Sequence, residues 1–131
     1  MTVPTFEELV ASRKAWLADV LQPWCRAASL SALRRAEQEW TDIAGKVAPE
    51  KTLWPWAWSR FPDLVHEALG IEETTEVEVT LRDGRIVRGF PDARRSQGGQ
   101  LVLWGQDAPD GDLNERGPFP IEQIASVKRL R

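Results

Sequence analysis

Residues 77–89 read Val77-Glu78-Val79-Thr80-Leu81-Arg82-Asp83-Gly84-Arg85-Ile86-Val87-Arg88-Gly89. Val77, Val79 and Leu81 alternate with Glu76, Glu78, Thr80 and Arg82. A period of two is what a strand shows when one face is buried and the other wet. Asp83-Gly84 is a strong short-range hairpin signal. The spacing therefore predicts a two-residue turn with positive φ at Gly84, and residues 85–90 answer as the second strand.

Working downstream, Leu101-Val102-Leu103-Trp104 predicts a short apolar third strand. Gln97-Gly98-Gly99 before it and residues 105–111 after it carry turn chemistry. Residues 117–121 suggest a fourth strand, 122–124 one tight turn, and 126–130 a fifth. Five short strands within about 60 residues suit a small closed barrel better than a large sandwich.

With those residues on the page, a resemblance can be stated. The run Val77 to Gly89, followed after a gap by Gln100-Leu101-Val102-Leu103, resembles the first half of Sm-like and SH3-like small barrels. In that family a strand ends in an Asp-Gly hairpin, the next strand reaches a bend glycine, and a Leu-Val-Leu run follows. Gly89 falls at the bend position, where the absence of a side chain lets a strand curve. Pro120-Ile121-Glu122-Gln123-Ile124-Ala125-Ser126-Val127 is similar to the close of one subgroup, the Rho-binding antiterminators. The resemblance implies a small barrel and, through the subgroup, a protein partner that handles RNA. Asp92 stands where RNA-binding Sm proteins place an aspartate. Their loop asparagine has no counterpart in residues 91–100, and their later Arg-Gly has none in the expected place.

Working upstream, the period changes to that of helices. Thr5 with Glu8 forms a capping-box pattern. Phe6, Leu9, Val10, Trp16, Leu17, Val20 and Leu21 fall on one helical face, with Glu7, Arg13, Lys14 and Asp19 on the other side. Pro23 is expected to stop this helix. A second helix is predicted from Ser29 or Ser31 to Ala44 on the stripe Leu30, Leu33, Trp40, Ile43, with Gly45 as its cap. Around Leu53-Trp54-Pro55-Trp56-Ala57-Trp58, Pro55 disfavours helical angles at Trp54, leaving a short helix or turn from Pro55. A further helix is expected from Pro62 to Gly70, with Leu64, Val65, Ala68 and Leu69 toward the core. The chain is thus read as α+β. Three or four helices in a Trp-rich region, residues 1–72, pack on a five-stranded small barrel, residues 73–131.

Composition limits the function classes. The chain has 131 residues, is 42% hydrophobic and carries a formal net charge of -3. That balance argues against a protein held to nucleic acid mainly by counterion release. One cysteine, Cys25, rules out an intrachain disulfide. The first residues hold two glutamates and no basic residue, unlike a signal peptide. No apolar run approaches the roughly 20 residues of a membrane span. The expectation is a cytoplasmic protein away from membranes, with no cofactor and no metal. Oligomerisation stays open.

Two constellations are candidate binding features. The first is Trp54, Trp56 and Trp58. If extended they point one way; if helical, Trp54 and Trp58 share a face that Trp56 does not. They either cement helices to sheet or offer an aromatic anchor. The second is the basic cluster Arg82, Arg85, Arg88, Arg94 and Arg95. It either contacts phosphate or an acidic partner, or forms a solvated face balanced by Glu76 and Glu78.

Cys25 and His66 have no spacing that marks a nucleophile and base. Asp107, Asp110 and Asp112 faintly echo a calcium loop without its closing glutamate. The leading expectation is a non-catalytic protein-interaction or adaptor module with an unknown protein partner. The alternative is an RNA-linked regulator, either an RNA binder or antiterminator-like. An enzyme of unknown class comes third.

Overall fold

The computed structural model describes residues 3–44, 48–66, 70–106 and 110–130. Thr5 caps the first helix as its sequence predicts, its hydroxyl accepting from the Glu8 N–H at 3.1 Å. Helix α1 spans Phe6–Trp16 and runs without interruption into a π turn, Leu17–Leu21, and then helix α2, Gln22–Ala27. Pro23 therefore does not stop the helix. It sits in the first turn of α2, where its missing N–H falls beside the wider i to i-5 bonding of the π turn, such as Gln22 N–H to Leu17 C=O.

Ser29 caps helix α3, Leu30–Gln38, and after a break at Glu39 helix α4 spans Trp40–Ala44. The expected cap at Gly45 lies outside the described residues. A 3-10 turn, Pro49–Lys51, leads to helix α5, Leu53–Trp58. This helix begins two residues earlier than Pro55. Pro55 lies in its first turn, where no intrahelical N–H donor is needed from it.

The helix expected from Pro62 is cut short. Pro62–Leu64 is a single 3-10 turn, and Val65 is extended and bridges to Ile71 in antiparallel fashion. Leu64 and Val65 are buried as expected, while Ala68 and Leu69 lie outside the described residues. Val65, β-branched and buried, gains more from pairing beside the sheet than its helical propensity offers.

The C-terminal part is a five-stranded antiparallel sheet: β1 Val77–Leu81, β2 Ile86–Pro91, β3 Gln100–Gly105, β4 Asn114–Pro120 and β5 Ile124–Arg129. Strand order is β4-β3-β2-β1-β5. Strand β1 lies between β2 and β5, with Glu78 opposite Arg88 on one side and Lys128 on the other. Gly84 has φ +96°, as predicted. The turn is one residue longer than predicted. Leu81 N–H donates to Arg85 C=O at 2.8 Å and Gly84 N–H to Leu81 C=O at 2.9 Å, which makes 82–84 a three-residue loop.

Strand β2 changes partner along its length. It pairs with β1 through Gly89 and with β3 at Phe90 and Pro91. A Cβ on Gly89 would lie 2.7 Å from the Trp104 carbonyl oxygen, so only glycine lets the strand fold over there. The sheet is not closed. Among the described residues no ladder joins β4 to β5, which the 3-10 turn Ile121–Gln123 connects. Pro118 and Pro120 in β4 lack N–H donors, which suits a strand left at an edge.

One core serves both parts. Val77, Val79, Leu81, Leu101, Leu103, Ile121 and Ile124 from the sheet region join Leu21, Leu33, Trp40, Leu53, Trp58 and Leu64 from the helical region in a single buried cluster. Polar ties reinforce it. Arg60 donates to the Cys25 and Ala28 carbonyls at 2.8 and 3.0 Å, satisfying the C-terminal end of α2. Arg34 reaches the Gly98 carbonyl, and the Arg129 N–H donates to Asp63. No helix among the described residues is long and apolar enough to cross a membrane.

Candidate functional site

Helix α5 resolves the geometry of the tryptophan run. Trp54 and Trp58 share its buried face, and Trp56 lies on another, half-buried and edge-on to Trp40 with ring centroids 6.1 Å apart. The Trp40 N–H donates to Thr52 Oγ1 at 2.9 Å and the Trp54 N–H to Glu37. The Trp58 N–H is buried and, among the described residues, has no acceptor. Trp54 and Trp58 join the core shared by helices and sheet, and Trp56 packs against it. A groove of about 480 Å³ opens beside them, lined by Glu37, Glu50, Trp54, Ser96 and Gln97 among others. Its half-buried carboxylate, Glu37, is already engaged by Trp54.

The arginines do not gather into one free cluster. Arg82 donates to the Glu122 carbonyl at 2.6 Å, and Arg85 pairs with Asp83 at 2.8 Å. Arg88 pairs with Glu78 at 2.9 Å, across the hairpin from it. Arg95 pairs with Glu115 at 2.6 Å and lies over the Trp104 ring, 5.9 Å from its centroid. Among the described residues only Arg94 of this group has a guanidinium that makes neither a hydrogen bond nor an ion pair. Asp92 organises the same loop. Its carboxylate accepts from the Trp104 N–H at 2.8 Å and the Arg95 N–H at 3.0 Å. Hydrogen bonding from Trp104, chiefly, holds it below the usual carboxylate value.

Cys25 is fully buried, and burial pushes its thiol up to about 11, against the attraction of Arg60 and Arg26. Such a thiol is a poor nucleophile at neutral pH. His66 is exposed and faces Glu72 at 3.6 Å. Asp107 lies outside the described residues. Among the described residues no three His, Cys, Asp or Glu side chains gather as metal ligands.

The surface that the sequence pattern did not single out is the outer end of the N-terminal helix. Phe6 is 76% exposed, Leu9 55% and Val10 36%, and no residue of α1 is buried. Farther along, Leu17 and Trp16 are half-buried, and Leu21 and Cys25 are buried. The first turns of the helix thus overhang the body while carrying an apolar stripe. Arg13 marks where contact with the body begins. Its guanidinium donates to the Ile43 carbonyl and lies 4.9 Å from the centroid of the Trp16 ring. One sequence signal was available: Arg13, grouped with the polar side in the sequence reading, lies seven residues after Phe6 and three after Val10 and so on their face, where a wholly buried stripe would not carry a charge.

Comparison with protein-family models, with curated proteins and with solved structures gives no match to this chain.

Proposed function

We propose that this protein is a non-catalytic interaction module that binds another protein through the outer end of its N-terminal helix. The observation that carries this reading is the adjacent exposure of Phe6, Leu9 and Val10 on α1. Single exposed apolar residues are ordinary, but a contiguous apolar strip on a projecting helix loses free energy unless a partner covers it. Helix-in-groove and helix-on-helix contacts are recognised through residues at this i, i+3, i+4 spacing.

The sheet is read as a relative of Sm-like and SH3-like small barrels. The order β4-β3-β2-β1-β5, the change of partner at Gly89 and the single turn Ile121–Gln123 before β5 support that reading. In this reading the sheet is a scaffold that presents the helix, and Arg88 and Arg95 serve their carboxylate partners rather than phosphate. The proposed location is the cytoplasm.

The test is a photo-activated crosslinker placed at position 9 in living cells. The expected result is a protein adduct that survives nuclease and disappears when Phe6→Ser is added. The opposing result is no such adduct, together with salt-sensitive binding to mixed-sequence single-stranded RNA that a joint Arg82, Arg88, Arg94 and Arg95→Gln variant abolishes.

A further inference from the structure

Resting on that reading, we infer that the overhanging end of α1 pairs with the same helix of a second copy of this chain. The two helices run antiparallel, and Glu7 of each copy lies against Lys14 of the other.

The spacing supplies the seam. Val3, Val10 and Leu17 recur every seven residues, with Phe6 four before Val10. That is part of the repeat by which two helices pack side by side; the position seven after Phe6 is Arg13, which is turned to Ile43. Phe6 and Val10 are exposed, and Leu17, half-buried, marks where the seam meets the body. A shallow groove of about 380 Å³ runs along this side, lined by Phe6, Glu7, Val10, Ala11 and Lys14.

Charge selects the occupant and its direction. Glu7 and Lys14 are two turns apart, so they flank the same edge of the seam. A two-fold axis between Val10 and Ala11 exchanges positions 7 and 14 and creates two identical ion pairs. A parallel pair would instead set Lys14 beside Leu9 of the other copy and make neither ion pair. Antiparallel helices also place opposite dipole ends together. Both side chains are available, since among the described residues neither makes an ion pair within its own chain. Arg13, the other cation of this region, is turned inward to Ile43. The same patch on both subunits is what a closed two-fold dimer requires.

Size sets the strength. The 11 residues of α1 span about 16 Å at the usual rise per residue. Such a pairing falls below the roughly 800 Å² per partner of a standard stable interface, so it is weak and reversible.

The experiment is sedimentation equilibrium on the intact chain at low salt, comparing wild type, Glu7→Lys, Lys14→Glu, an equimolar mixture of the two, and the double exchange. The wild type is expected to dimerise. Each single variant, which sets like charges together twice, should raise the dissociation constant roughly tenfold. The mixture and the double exchange should return it toward wild type, because both restore opposite charges across the two-fold. That rescue also shows that the single variants are folded.

A wild type still monomeric at about 1 mM, or a mixture no tighter than its components, overturns self-pairing. If the position-9 adduct then contains an unrelated protein and is lost with Phe6→Ser, the interaction reading stands with a different occupant. If no adduct forms either, both readings fail.

Discussion

The N-terminal rod has two ends that look alike in sequence and differ in fate. At the inner end Leu21 is 5% exposed and Cys25 is fully buried; at the outer end Phe6 is 76% exposed. Both ends carry apolar residues at helical spacing, and the rod is continuous through the π turn between them. Amphipathic pattern therefore reports that a face seeks cover, not what covers it. At the inner end the cover is supplied within the chain by α5, whose residues share the core cluster with Leu21 and Cys25. At the outer end nothing within the described residues supplies it, and the pattern becomes a statement about a partner.

The largest expected effect sits at the inner end. Leu21→Ala removes a side chain packed into the core shared by helices and sheet. It should cost about 2–5 kcal/mol of unfolding free energy, the usual range for such truncations. Urea unfolding at neutral pH measures it. A midpoint within error of wild type would mean that the inner end is no better covered than the outer one, and the contrast would collapse.

Cys25 gives a second measure of the same burial. Its thiol is raised from 9.0 to about 11 by desolvation. The native state thus keeps the proton to higher pH than the unfolded chain does. Below pH 9 the group has no effect on the balance. Between pH 9 and 11 the unfolded state ionises first, so stability falls, and above that range the loss levels off. The wild type should lose stability more steeply over this window than Cys25→Ala, read as the slope of urea midpoint against pH. Parallel slopes would show that the thiol is as well solvated in the folded protein as in the unfolded one.

How much of this was legible before the structure follows from how local each signal is. The hairpin at Asp83-Gly84 and the alternation of Val77, Val79 and Leu81 are set by neighbours two residues away, and they appear in the structure nearly as read. The turn is longer by one because only the cross-strand bonds of Leu81 decide between two-residue and three-residue loops. Pro23 is read from sequence as a helix stop and Pro55 as a helix start that excludes Trp54, the one because proline lacks an N–H and the other because it restricts the residue before it. The cost of the missing N–H disappears in a first turn, and sequence alone does not place the first turn. Val65 left its predicted helix for a bridge to Ile71, a choice made by tertiary pairing. The arginines lie on one hairpin and the loop after it, as their order in the sequence requires. Their partners Glu115 and Glu122 come from distant strand and turn positions that no local pattern reveals.

The smallest expected effect belongs to the outer end. Phe6→Ser removes an apolar ring that already faces solvent in the single chain. Its cost to the unfolding free energy of the dilute protein should stay within about 0.5 kcal/mol, as for surface changes that break no cap and open no cavity. The same variant should behave differently as concentration rises. A wild type that pairs through this face is stabilised by mass action, so its Tm climbs with protein concentration. Phe6→Ser should have a Tm that does not move. Thermal melts of both proteins across a wide concentration series separate the two contributions. A large loss in the dilute variant would place Phe6 in an intramolecular contact and make the two ends of the rod equivalent. A concentration-dependent Tm that survives Phe6→Ser would leave the outer end exposed but move the self-association elsewhere on the molecule.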